Sequence, residues 1–248
     1  MNDPVNAATE IAKTANTGLE LAGKTGSFIA NIFRDTFAQI GGMASDQIRL
    51  LRYQHLLSIQ DRVDEIHRRR GIEGKTISVP LKIGIPLIEA ASFEDDLMLQ
   101  SLWALLIANA TDPQYSEDIH PAYIEIVKQL CPDEALVLSA FASNKDYPCV
   151  LSAQRSSNNA GSHYENIRVT YNNFCNSIPL KRPEKRQEYL DNLLRLELVS
   201  ITTDESPGGI TLNPILRDPV VYQDRRVREL MNVTAFGTSF IRAAINQP

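Results

Sequence analysis

Residues 18–25, Gly-Leu-Glu-Leu-Ala-Gly-Lys-Thr, fit the spacing G-x-x-x-x-G-K-[ST] of a phosphate-binding P-loop. In a nucleotide hydrolase such a turn points backbone N–H groups at the phosphates, Lys24 reaches the β and γ phosphates and Thr25 holds magnesium. That chemistry needs a buried strand immediately before Gly18. The preceding stretch, AATEIAKTANT, is rich in Ala, Glu and Lys and has low β propensity. No later apolar run ends in an aspartate of the Walker B kind, and strands and helices do not alternate as in a parallel sheet. The match is therefore read as accidental, and neither an enzyme nor a cofactor is expected.

Other reactive side chains are equally unarranged. Glu89, Glu94, Asp95 and Asp96, with Asp112 and His120 beyond them, offer the ligand types of a metal or acid–base site without a diagnostic spacing. The simpler reading is that the acids begin a helix, where its dipole favours them, and that Asp112 and His120 cap neighbouring elements. His55, His67, His120 and His163 form no H-E-x-x-H pair, and no G-x-S-x-G elbow is present. Cys131, Cys149 and Cys175 are odd in number and widely spaced, which indicates neither a disulfide framework nor zinc. No metal site is expected.

Two sets of residues suit binding rather than catalysis. Gly18, Ala22, Gly26 and Ala30 recur every four residues, so one helix face is lined with small side chains where another helix can approach closely. Phe28, Ile29, Ile32, Phe33 and Phe37 add an apolar surface beside them. Gly18, Ala22, Gly26, Ala30, Phe33 and Phe37 are thus candidates for packing within the chain, self-association or membrane contact. Lys24, Arg34 and Asp35 oppose full insertion into hydrocarbon but suit a helix lying on a headgroup surface. The second set is basic: Lys181, Arg182, Lys185 and Arg186 are candidates for contacting nucleic-acid phosphates, and Arg225, Arg226 and Arg228 form a further group. A net charge of −5 works against a general attraction to nucleic acid.

The elements that must carry these residues are mainly helical. With 248 residues, 43% of them apolar and 22% charged, the chain has ordinary globular composition. Ile11, Ala15, Gly18, Ala22, Gly26, Ile29, Phe33 and Ile40 predict one long helix; Gly41-Gly42 interrupts it at about 1 kcal/mol per glycine. Ser45 and Asp46 supply a fresh N-cap, and a second long helix should run through Leu50, Leu51, Leu57, Val63 and Ile66 to Arg70-Gly71. Thr76–Val79 reads as extended, with Pro80 or Pro86 at an early helical position. Ser92-x-x-Asp95 predicts the cap of a helix to Ala110 that is apolar nearly all round and central to the core. Helices from Pro121 to Leu130 and Pro132 to Phe141 complete a bundle. SSNNAGS at 156–162 reads as a loop, Ile167–Phe174 as helix or strand, and EKRQEYLDNLLRLE as a helix passing into a strand at 198–202. DESPGG is a turn, ITLN a returning strand and TAFGTSFIRAAI a last helix. The resulting domains are 1–74, a long helical hairpin; 75–146, a central helical bundle; and 147–248, a small α+β module resembling a winged helix.

The run IPLIEAASFEDDLMLQSLWALLIANATDP and the later IHPAYIEIVKQLCPDEALVLSAF resemble the core of the bacterial Abi-alpha family, named for abortive infection by bacteriophage. The resemblance lies in Glu94-Asp95-Asp96, Leu99, Trp103, Leu106-Ile107-Ala108-Asn109, His120-Pro121 and Leu130-Cys131-Pro132-Asp133. LDNLLRLELVSI and VTAFGTSFIRAAI resemble its C-terminal pattern, although Glu197 stands where Gly is expected, which predicts a different turn. The resemblance implies a role in phage defence and brings no catalytic residues with it. A protein partner or a second copy of the chain is the expected contact, peripheral membrane contact and nucleic acid the further ones. The first ten residues carry an acid and no basic or apolar signal region, and no apolar run reaches the roughly 18 residues of a membrane span, so a cytoplasmic protein is expected. A DNA-binding regulator using the basic C-terminal module is the alternative of a different class.

Overall fold

A computed structural model describes residues 46–116, 119–144, 147, 149–155, 165–206, 211–212, 219–220 and 226–245. The first long helix expected, with Gly18, Ala22, Gly26, Ala30, Phe33 and Phe37, and the loop expected at 156–162 fall outside the described residues. Two compact units are present: Asp133–Arg242 form the second, and the described residues before them, with 243–245, form the first.

The first unit is built on α1 (Asp46–Arg70), α2 (Leu81–Ser92), α3 (Leu97–Thr111) and α4 (Ala122–Gln129). α1 buries Leu56, Ile59, Val63 and Ile66, spaced three or four apart, on one face. It ends at Gly71, whose φ of 66° is the left-handed conformation that glycine adopts without strain. There the amide of Gly71 donates to the carbonyl of Arg68 and that of Ile72 to the carbonyl of His67, closing the last turn. Pro80 is the N-cap of α2, while Pro86 sits inside that helix rather than at its start.

α3 is buried along most of its length, from Leu99 to Thr111, as an all-round apolar helix must be. Its N-cap is Asp96, not Ser92. The Asp96 carboxylate accepts from the amides of Met98 and Leu99 at 2.8 and 3.4 Å. Ser92 is already committed as the last residue of α2, where its hydroxyl donates to the carbonyl of Glu89.

The second unit runs α5 (Pro132–Ala142), β1 (Cys149–Arg155), α6 (Glu165–Cys175), a 3-10 turn (Pro183–Lys185), α7 (Arg186–Arg195), β2 (Val199–Ser206), β3 (Thr211–Leu212), β4 (Pro219–Val220), β5 (Arg226–Val233) and α8 (Ala235–Ala244), the last two residues of α8 counting with the first unit. β1, β5 and β2 form an antiparallel sheet with β5 in the centre; Val199 pairs with Val233 and Ser206 with Arg226. The strand returning to β2 is thus β5, and the described residues of ITLN, Thr211 and Leu212, pair in the two-residue ladder of β3 with β4. The stretch 167–174, open between helix and strand, is helical because Ile167, Tyr171 and Cys175 recur every fourth residue and are all buried.

α7 ends on the same motif as α1. The amides of Glu197 and Leu198 donate to the carbonyls of Leu194 and Leu193, and Glu197 carries the left-handed φ of 57°. The turn therefore keeps the geometry that favours glycine even though a side chain is present. Leu198 is gripped in turn by the start of α8: the Thr234 amide donates to the Leu198 carbonyl, and the Thr234 hydroxyl donates to the carbonyl of Glu197 while accepting the amide of Gly237. A β-carbon on Gly237 would collide with the carbonyl of Leu198, so only glycine fits this close approach.

Candidate functional site

Polar side chains on α1 meet α2 and α3 in sequence order. Arg52 Nε donates to Ser92 Oγ at 2.9 Å, and His55 Nδ1 donates to the Ser92 carbonyl at 3.1 Å. Ser58 reaches Gln100, Arg62 reaches Ser101, and His67 reaches Thr111. Partners that advance together along both helices mean that α1 and α3 lie parallel. The bonds from Ser58, Arg62 and His67 fix their register where an apolar face alone would permit sliding.

The ladder closes on a charged cluster. Arg70 Nη1 donates to Asn109 Oδ1 at 2.8 Å and to Asp112 Oδ2 at 3.1 Å, with its guanidinium 5.0 Å from the Tyr115 ring centre. Asp112 also accepts the Gln114 amide, and Asn109 donates to the carbonyl of Ala243 at 2.7 Å. His67 is buried beside them. Because the Thr111 hydroxyl donates to main-chain carbonyls of its own helix, it must accept from His67 Nε2. Burial foremost, with the Arg70 charge adding to it, lowers the His67 pKa; a hydrogen bond with the main chain at Ala108, Asp112 and Glu73 only partly oppose this.

The acids considered for a metal site have these structural partners instead. Glu94 accepts the Asp96 amide and the Trp103 indole N–H, Asp96 and Asp112 hold the two ends of α3, and His120 Nδ1 accepts the amide of Ala122. Among the described residues no group of three His, Cys, Asp or Glu could hold a metal ion.

In the second unit the basic candidates are held from below. Asp133, buried near the start of α5, accepts the amides of Lys181 and Arg182, both at 2.9 Å, and the Tyr189 hydroxyl at 2.8 Å. Burial pushes its pKa up, but these three donors outweigh burial and hold the carboxyl below its ordinary value. Lys181 and Arg182 are thereby exposed at the entry to α7. Lys185 pairs with Glu188 at 3.1 Å, and Arg186 donates to the Pro183 and Asn172 carbonyls and to Asn176 Oδ1. Farther along α7, exposed Asp191 pairs with Arg168 at 2.7 Å. Charge on the outer face of α7 is therefore balanced locally, and Arg186 is a structural clamp between α7 and α6.

Asp133, Tyr189 and the buried Glu229 were not legible as a set. Glu229, on β5, accepts the Ile167 amide at 2.9 Å and so caps the start of α6, where the helix dipole favours an acid. Only the pairing of Asp133 with Glu134 in the first turn of a helix gave any hint of an acid needed at that spot. Among the described residues no helix is long and apolar enough to cross a membrane.

No curated protein and no solved structure matches the chain. The sequence pattern of the family described as abortive infection alpha matches residues 49–244, through both compact units. With most of its length so matched, the chain belongs to the abortive infection alpha family.

Proposed function

We propose that the protein serves phage defence by abortive infection, and that its N-terminal segment carries the action through regulated contact with a protein partner, another copy of the chain or a membrane surface. Membership of the family over residues 49–244 carries the defence reading. The contact reading is supported by chemistry: the polar ladder and the cluster around Arg70 are buried or part-buried ties between helices, while the sequence ahead of them carries Phe28, Ile29, Ile32, Phe33 and Phe37. Phage challenge of cells expressing the full chain beside a form lacking residues 1–44 tests it, scored for plaques and for cell death. Unchanged protection by the shortened form would sink the contact reading.

A DNA-binding regulator is the second reading. It is supported by the order of α5, β1, α6, α7, β2 and β5, with β1 beside β5, which resembles winged-helix connectivity and would give α7 the place of the reading helix. Against it, Glu188 and Asp191 face outward on α7, where phosphates would approach. If this reading holds, Lys181→Glu with Arg182→Glu weakens DNA retention and flattens its salt dependence.

A further inference from the structure

One side of α2 carries large apolar side chains that the first unit leaves uncovered. Leu81 and Ile85 are 63% and 37% exposed, and Phe93, just past the helix end, is 61% exposed. Lys82, Pro86 and Glu89 are exposed beside them. At about 100° per residue these six positions fall within about 140° of the helix circumference, so they form one stripe. Gly84, Leu87, Ile88 and Ala91 on the opposite side are buried in the unit. A contiguous exposed apolar stripe of this kind marks a contact surface.

The charges on the stripe decide what can cover it. Lys82 and Glu89 have opposite signs and stand two turns apart on the same side. Arg52 attracts Glu89 from α1, whereas Lys82 makes no ion pair among the described residues. Let a second α2 lie antiparallel across the first, with a two-fold axis midway between Ile85 and Pro86. Each Lys82 then comes opposite the partner's Glu89, both about 5 Å from the axis, so two equal pairs form at once. A parallel arrangement would oppose lysine to lysine and glutamate to glutamate. The apolar ends match in the antiparallel arrangement as well. Phe93 stands about 11 Å along the helix from the axis and Leu81 about 7 Å. Helical side chains lean toward their own N-terminus, so Phe93 leans inward and Leu81 outward, and the two meet across the pair.

We infer that the exposed stripe of α2 is a two-fold interface with a second copy of the chain, antiparallel about Ile85 and Pro86 and registered by Lys82 and Glu89. The stripe is self-complementary, which is what an isologous contact requires of a surface. It lies outside residues 1–44, so the pairing neither needs nor replaces the contact proposed for them. A stripe about 18 Å long is small for an interface, and the dimer it forms is of the weak, reversible kind.

Sedimentation equilibrium of the full chain over a concentration series tests the pairing. A monomer–dimer equilibrium is expected for the unaltered chain, and Leu81→Glu with Ile85→Glu should abolish it while the thermal melt stays unchanged. Lys82→Glu alone and Glu89→Lys alone each oppose like charges at both pairs and should weaken association about tenfold or more. Mixing those two variants restores both pairs, so the mixture should form a dimer that neither variant forms as well by itself. The double reversal in one chain should also recover the original affinity, which a parallel pairing would not require. A chain that stays monomeric up to about 1 mM, a dimer unmoved by these substitutions, or variants that fail to associate on mixing would each overturn the inference.

Discussion

Asp112 and Asp133 are both buried aspartates at helix boundaries, but Asp112 faces the guanidinium of Arg70 whereas Asp133 faces two main-chain amides and a phenol. In the first unit a charge is matched by a charge on another helix, so the pair can be broken from either side. In the second, two of the three donors belong to the backbone and survive any side-chain change at 181 or 182. The first arrangement ties α1 to α3 by a side chain that sequence change can remove. The second fixes the path of the segment entering α7 whatever its side chains are.

The contrast predicts unequal responses. Arg70→Met should cost the most, about 3–5 kcal/mol in urea unfolding, because Asp112 is left as a buried charge without its counter-charge. Adding Asp112→Asn should recover much of that loss; no recovery would mean that the pair does not act as a unit. Asp133→Ala should cost less, about 2–4 kcal/mol, through two amides and a hydroxyl left without their acceptor. Tyr189→Phe removes one neutral donor and should cost about 1 kcal/mol.

Acid should separate the units as well. His67 has a pKa lowered below 6.5 in the folded chain, so its contribution is complete above that value and is lost as pH falls through the window beneath it. Asp133, lowered below 3.8, loses its contribution only under stronger acid. Asp64 has the opposite sign. Burial first, then Asp61 and Glu73 against the opposing Arg68, raises its pKa to about 6, so its cost is absent below 3.8 and complete above 6. Asp64→Asn should therefore stabilise the chain at pH 7 by about 1 kcal/mol, discounted for its partial exposure. The same change should leave the His67 loss visible as pH is lowered from 6.5, read as a falling urea midpoint.

Much of the fold was legible where local signals agree. The stop of α1 at Arg70-Gly71 followed from a glycine after a basic last turn, and α3 was recognisable as core from its continuous apolar run. The cap of α3 was misread because Ser92 and Asp96 are both able cap residues, and only the extent of α2 decides between them. β5 was missed for a more instructive reason. Met231 and Val233 point inward in strict alternation, but Glu229 holds the next inward place, and the acid hides the strand pattern. Its partner, the amide of Ile167, lies far away in sequence. Lys181, Arg182, Lys185 and Arg186 were singled out for their charge, while the roles of Asp133 and Tyr189 beneath them depend on contacts no local window contains.

The grip of Thr234 and Gly237 on the Glu197–Leu198 turn closes the base of the β2–β5 hairpin by contacts outside the strands themselves. Register is consequently set at the closed end, and the chain between Ser206 and Arg226 is relieved of that duty. Its length is free to vary at only the slowly growing entropy of a longer loop, about 0.6 kcal/mol for each doubling. Those residues are accordingly the place where a tag or an inserted peptide can enter the second unit without shifting its sheet.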